Sequence, residues 1–234
     1  MTDSFYIGAY WASRAEPLLQ IVNEILLTIK RLSEVDEQFS DWYEKGFSRK
    51  QALEKKVILN NETIERLCLQ TVKRGELNEK GFAKMGFLFS LWTGHSEGES
   101  STISFSVGGS YNNVNLSNSV VIKMPFEGAA RERLLHIEKA KKIIALLVDI
   151  WHPDYAVLTS HELGDKLNVG NKIGWITYGK SIHRIPKISE EVIHEKYKND
   201  GHLFYLKLPN SNSYDYNLAN ELLPLKEVIA AQLT

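Results

Sequence analysis

The hydrophobic periodicity of this chain changes near its middle, and the change restricts the folds it can adopt. Between residues 18 and 32 the apolar side chains recur every three or four positions, which is typical of an amphipathic helix. Between residues 87 and 122 they fall on alternate or near-alternate positions, and glycines and asparagines separate the alternating segments. This pattern is typical of antiparallel strands joined by tight turns. The sequence therefore predicts helices followed by an antiparallel meander.

Further elements are predicted on both sides of the meander. Residues 129–151 return to the helical period, so we predict one long helix there, with Arg133 and Lys139 among its solvated cations. A short helix is expected to begin at Ser189, and residues 164–172 are expected to form a polar turn. Strands are predicted at residues 5–11, 155–159, 174–178 and 203–208. The predicted fold is α+β, a single domain over residues 1–234 with helices packed on a largely antiparallel sheet.

The composition excludes several classes of protein. The net charge of −1 lacks the basic excess of proteins that bind phosphates, so direct nucleic-acid binding is not expected. The longest aliphatic run, residues 143–148, is far shorter than the roughly 20 apolar residues of a membrane-spanning helix. The first residues lack the pattern of a secretory signal, so we expect a cytoplasmic location and no membrane partner. The single cysteine, Cys68, has apolar neighbours and is predicted to be buried.

One motif suggests catalysis. Residues 94–98, Gly-His-Ser-Glu-Gly, match the nucleophile-elbow pattern of serine hydrolases. A working elbow places its serine, here Ser96, between a strand and a helix. The residues that follow, 99–107, continue instead in strand-like alternation, which favours a polar hairpin turn. A serine hydrolase using Ser96 is kept as an alternative function.

Residues that could bind a metal are scattered along the chain. None of the seven histidines forms the spaced pair around a glutamate that zinc proteases use. A helix C-terminus beside a strand edge accounts for the polar residues that could converge, which are Asp149, His152, Asp154 and His161. We predict no metal, no cofactor and no catalytic residue.

The segment 34–44 places five acids among three large aromatic rings, and it has two interpretations. Phe39 and Trp42 could both enter the core and leave the acids as a solvated face. The alternative is a partner-binding patch, in which the rings supply contact area and the acids steer a basic partner. In both cases the acids are expected to be exposed. The residues of this patch would be Asp36, Glu37, Phe39, Asp41 and Trp42.

The first part of the chain resembles a known family. Tyr10, Trp11 and Arg14, followed by a long helix and a second group of residues, are similar to the immunity protein 52 family of bacterial polymorphic toxin systems. The second group comprises Asp36, Phe39, Trp42, Gly46, Ser48, Arg49 and Ala52. The resemblance is strongest over about the first 55 residues, and beyond them it covers only the order of elements.

Membership would imply an antitoxin without catalytic activity. Proteins of this family are made beside a secreted toxin, in systems such as type VI secretion, and neutralise it by direct binding. The toxin is often a nuclease with a restriction-endonuclease-like fold. Covering the active site of the toxin needs no catalytic group, so the resemblance implies that the chain is not an enzyme. A non-catalytic adaptor without a toxin partner is the second alternative.

The family-motif residues need not contact a toxin. Trp11 and Arg14 lie close together at a predicted junction between strand and helix. We expect a structural role for both, with Arg14 bonded to backbone carbonyls or to a carboxylate.

Overall fold

The computed structural model describes residues 3–73, 75–110, 118–170, 172–198, 200–207, 214 and 216–230. Its helices are α1 (Leu18–Val35), α2 (Arg49–Leu53), α3 (Asn61–Leu69), α4 (Gly128–Leu134), α5 (Ile137–Trp151), α6 (His161–Leu167) and α7 (Leu225–Ala230). Its strands are β1 (Phe5–Trp11), β2 (Tyr43–Glu44), β3 (Phe87–Trp92), β4 (Thr102–Val107), β5 (Asn118–Lys123), β6 (Tyr155–Ser160), β7 (Ile176–Lys180), β8 (Val192–Tyr197) and β9 (Gly201–Leu206). Two 3₁₀ turns span Glu37–Phe39 and Leu218–Leu222.

The strands of the described residues form one nine-stranded sheet in the order β2-β3-β4-β5-β1-β6-β7-β9-β8. Every neighbouring pair is antiparallel. The predicted α+β class and the meander β3-β4-β5 are therefore confirmed. The first strand lies inside the sheet, where Tyr6 pairs with Lys123 on one side and with Thr159 on the other.

The two halves of the sheet are covered differently. The helices α3 and α5 contact one face, and α1 packs against both of them. On the other face, Ile182 and Ile229 lie against Gly179, which is in register with Tyr155 and Tyr10. Strands β1, β6 and β9 are consequently buried along their whole length, whereas β3, β4 and β5 alternate between buried and less buried residues. One face of β3-β4-β5 is thus left to solvent, as an antiparallel sheet allows.

An indole pair joins β1 to the helical layer. The ring of Trp11 is 2% exposed and stacks on Trp151 of α5, with ring centroids 5.4 Å apart. Trp151 donates through Nε1 to Oγ1 of Thr28 in α1, at 2.9 Å. Because both indoles and the hydroxyl are buried, this contact holds β1, α1 and α5 together.

Three predicted elements differ from the structure. The helix predicted over residues 129–151 is two helices, α4 and α5, because the backbone leaves the helical conformation at His136 between them. The helix predicted from Ser189 is wrong, because residues 192–197 pair with β9 along the edge of the sheet as β8. The predicted turn at 164–172 is wrong for its first part, which belongs to α6.

The helix α6 is an element that the sequence reasoning missed, although a capping signal marks its start. The side chain of Ser160 accepts a hydrogen bond from the backbone N–H of Leu163 at 3.1 Å, which is a normal N-cap. The helix ends at Asn168, which has a left-handed backbone conformation. Gly164 is needed inside α6 because a Cβ there would lie 2.7 Å from the carbonyl oxygen of Gly170.

We expect Trp11→Ala to lower the free energy of unfolding by about 3–5 kcal/mol, since it truncates a fully buried aromatic ring. Urea unfolding at neutral pH would measure the loss. Trp92→Ala is the matched control, because Trp92 lies on the solvent-facing side of β3 and is only half-buried, so its loss should be clearly smaller. Equal losses for the two variants would contradict the central position of Trp11.

Candidate partner-binding surface

The two aromatic rings of the acidic segment lie in the core. Phe39 and Trp42 are 0% and 1% exposed, and their rings stack with centroids 6.0 Å apart. Trp42 donates through Nε1 to the carbonyl oxygen of Phe39 at 3.0 Å, so the polar atom of the indole is satisfied. Both rings therefore anchor the segment in the hydrophobic core and present almost no surface to a partner.

Asp36 is buried, and the expectation that it is exposed is wrong. Its side chain is 2% exposed and accepts hydrogen bonds from Arg133 at 3.0 Å and Lys139 at 2.6 Å. It also caps the 3₁₀ turn by accepting the backbone N–H of Gln38 at 3.0 Å. Burial raises the pKa of this carboxyl, but the hydrogen bonds from Arg133, Lys139 and Gln38 outweigh it and lower the pKa to about 2.

The break between α4 and α5 explains how two cations reach one carboxylate. Arg133 and Lys139 are six residues apart, so in a continuous helix their side chains would point about 120° away from each other. Because the chain turns at residues 135–136, Arg133 at the end of α4 and Lys139 at the start of α5 converge on Asp36. Arg133 and Lys139 were predicted to be solvated cations, but both pair with a buried carboxylate.

The other two acids of the segment face solvent. The side chain of Glu37 is 82% exposed and lies 3.1 Å from Arg133. The side chain of Asp41 is 51% exposed and pairs with Lys56 at 2.7 Å. Exposed ion pairs of this kind contribute little to stability, so both carboxylates can exchange partners at little cost.

Further acids collect next to Glu37. The backbone N–H groups of Phe126 and Glu127 donate to the carbonyl oxygen of Gly98 at 2.7 and 3.1 Å, which brings the loop after β5 against the loop after β3. Gln38 donates to the carbonyl oxygen of Glu99 at 2.8 Å, which ties both loops to the 3₁₀ turn. We call the resulting surface the acidic end, and it consists of the exposed residues Glu37, Glu97, Glu99 and Glu127.

Ser96 lies on this end of the molecule, in the loop between β3 and β4. Its hydroxyl donates to the carboxylate of Glu99. The residues after it lead into the antiparallel strand β4 and not into a helix, so the predicted polar turn is confirmed. The backbone geometry of a nucleophile elbow is not present at this serine.

The family-motif residues have structural contacts. Arg14 donates to the carbonyl oxygen of Trp151 and to the carboxylate of Glu16, both at 2.9 Å, and its guanidinium lies 5.3 Å from the Trp11 ring centroid. Tyr10 stacks on Tyr155 with centroids 4.9 Å apart. The contacts expected for Arg14, a carbonyl and a carboxylate, are those observed.

The polar residues considered as metal ligands have separate surroundings. Asp149 pairs with Lys198, and Asp154 accepts the backbone N–H of Ala12 at 2.8 Å. In the ranges that the structure describes, no three His, Cys, Asp or Glu side chains are placed to share a metal ion. The same ranges contain no helix with the length and apolar character needed to cross a membrane.

Comparison with known proteins identifies the family of the chain. The profile described as immunity protein 52 matches residues 3–221. The chain belongs to the immunity protein 52 family. In this member of the family, the match includes the C-terminal half and so extends well beyond the first 55 residues that carry the motif.

Two further comparisons complete this result. No curated protein sequence matches this immunity protein 52 chain. Among solved structures it is similar to the Pseudomonas aeruginosa T6SS protein PA0821, with a TM-score of 0.49 and 9% sequence identity, over 99% of this chain and 72% of that chain.

We expect Asp36→Asn to remove a pH-dependent part of the stability. Because the folded-state pKa of Asp36 lies below its unfolded value, its contribution is fully present above about pH 4 and is lost as the pH falls toward 2. After discounting for the partly exposed cations, the wild type should lose about 1–2 kcal/mol more than Asp36→Asn over this range. Urea unfolding as a function of pH would measure the difference.

Asp41→Asn serves as the control for this experiment, because its carboxylate is exposed. It should follow the wild type within about 0.5 kcal/mol at every pH. If Asp36→Asn and the wild type lost stability in parallel, the ion pairs of Asp36 would not stabilise the fold.

Proposed function

We propose that this protein is an immunity protein that binds a cognate bacterial toxin and neutralises it in the producing cell. The observation that supports the proposal is the family match, which covers nearly the whole described fold and not only the N-terminal motif. Binding is sufficient for this function, because a covered or distorted toxin active site is inactive. The protein acts in the cytoplasm without cofactor, metal or catalytic residue in this proposal.

The toxin, in our proposal, is a nuclease with a restriction-endonuclease-like fold, and it docks on the acidic end and on neighbouring Asp41. A nuclease cleft must be basic to hold phosphates, so exposed carboxylates imitate the charge of its substrate. Attraction between the two surfaces would speed association at low ionic strength. The acids stand on a rigid base, since Asp36, Phe39 and Trp42 fix the backbone beneath them.

Charge reversal at Glu37 and Asp41 tests this interface. Because both carboxylates are exposed, the double change Glu37→Lys with Asp41→Lys should leave the fold intact. Charge reversal at buried Asp36 would instead place a lysine between Arg133 and Lys139 and destabilise the fold. We expect the association rate with the toxin encoded beside this chain's gene to fall at least tenfold at low ionic strength, and much less at high salt. Stopped-flow kinetics over a salt series would measure it.

The matched control carries the same change in net charge elsewhere. Glu79→Lys with Glu190→Lys alters two exposed acids, one in the loop after α3 and one just before the edge strand β8. This variant should keep most of the wild-type rate. If both double variants slowed association equally, overall charge and not the acidic end would be responsible.

The sequence match at Ser96 motivates a direct test for hydrolase activity. We expect no labelling of the purified protein by an acyl-serine-directed fluorophosphonate probe, because the turn at Ser96 lacks the strand-to-helix geometry. Gel fluorescence before and after Ser96→Ala would show the result. Labelling of the wild type that disappears in the variant would support a serine hydrolase instead of an immunity protein.

A further inference from the structure

Phe47 is exposed to an unusual degree. The residue is 103% exposed, as much as in an isolated extended peptide, while Ile58 and Leu19, the next most exposed large apolar residues of the described chain, reach 69% and 68%. It lies in the turn between β2 and α2. An aromatic ring left entirely in water forgoes the free energy that its burial would release.

The backbone that carries this ring is held firmly. The side chain of Ser48 accepts the N–H of Gln51 at 3.3 Å, and the side chain of Gln51 in turn accepts the N–H of Phe47 at 2.8 Å. Gly46 packs so closely on α2 that a Cβ there would lie 2.9 Å from the backbone nitrogen of Ala52. The exposure of Phe47 is therefore a consequence of an ordered turn.

Hydrogen bonds join β2 and the residue before it to the residues that follow α2, so both ends of the segment that carries Phe47 are held together. The backbone N–H of Glu44 donates to the carbonyl oxygen of Lys55 at 3.0 Å, and that of Val57 donates to the carbonyl oxygen of Trp42 at 2.8 Å. Trp42 and Ala52 are both buried. A backbone held in this way loses little conformational entropy when a partner covers the ring, so only the rotamers of the Phe47 side chain have to be fixed on binding.

The surroundings of Phe47 are basic. Lys45 in the same turn and Arg49 and Lys50 at the start of α2 are exposed. A groove of about 440 Å³ lies beside it, with Trp92 and His95 in its walls. The matching surface on a partner is a protein pocket with an apolar floor and an acidic rim.

The turn is continuous with the acidic end. The guanidinium of Arg49 lies 3.4 Å from the carbonyl oxygen of Gly94 and 3.5 Å from that of His95, in the loop that also carries Glu97 and Glu99. One end of the molecule therefore shows an acidic area next to a basic area with an aromatic ring at its tip. Neighbouring areas of opposite charge define the orientation of a docked partner.

We infer that Phe47 is an anchor residue of the toxin interface, which inserts into an apolar pocket of the cognate toxin while Lys45, Arg49 and Lys50 face the acidic rim of that pocket. This inference rests on the proposed function and adds a residue that the family motif does not contain. Anchors of this kind contribute a large share of the binding energy of an interface.

The variant Phe47→Ala tests the inference, with the toxin encoded beside this chain's gene as the probe. We expect its affinity to be at least tenfold weaker at about 0.15 M salt, mainly through faster dissociation, with an unchanged thermal midpoint. Phe47→Trp should bind like the wild type. Leu19→Ala, which removes another exposed large apolar side chain, in α1, is the matched control and should change affinity less than about twofold.

The outcomes distinguish the inference from the function on which it rests. If the Phe47→Ala variant bound the toxin as tightly as the wild type, the inference would be overturned and the immunity function would stand. Absence of binding by the wild-type protein overturns both. Phe47-dependent binding to phosphatidylglycerol vesicles, or Phe47-dependent self-association in sedimentation velocity, would assign the ring to a membrane surface or to a second copy and would also overturn the inference.

Discussion

The burial of β1 on both faces is the constraint on which the rest of this structure depends. Trp11 faces the helices and stacks on Trp151, while its neighbour Tyr10 faces the other way and stacks on Tyr155. A strand of this kind needs a layer on each side, because both of its faces are apolar. The helical layer covers one face of the sheet. On the side of β1 that carries β6 and β7, α7 and the segment before β8 cover the other face. On the side of β1 that carries β5, β4 and β3, the described residues place only the helical layer against the sheet, and these strands are half exposed.

This asymmetry decides what could be predicted from the sequence. Strands β3, β4 and β5 alternate because one face meets solvent, so their pattern is visible in the sequence. The residues just before the edge strand β8 carry a helix-start signal at Ser189. Residues 192–197 form a strand because they pair with β9, and local propensity does not reveal this pairing. The break between α4 and α5 was missed because both parts keep an apolar stripe. At the break, Leu134 and Leu135 are both buried, and Arg133 and Lys139 on either side of it pair with Asp36, which is distant in sequence.

The sequence indicated which segment forms the candidate site, but not which residues of that segment are buried and which are exposed. The spacing of Phe39 and Trp42 allowed both a core and a surface interpretation, and the structure places them in the core. The partners of Asp36 are 97 and 103 residues away in sequence, so nothing near Asp36 indicated that it would be buried. Phe47 is an ordinary apolar residue in the sequence, and its exposure follows from a turn that the side chains of Ser48 and Gln51 close.

In the proposed interface, stability and recognition are carried by different residues of the segment 36–47. Asp36, Phe39 and Trp42 are buried and hold the backbone, while Glu37, Asp41 and Phe47 project into solvent from that backbone. Substitution of an exposed residue that makes few contacts changes stability little, so the projecting side chains can change without loss of the fold. An immunity protein must match one particular toxin, and specificity is set by the attractive and repulsive groups it presents. Such an arrangement allows the specificity to change while the supporting residues stay the same.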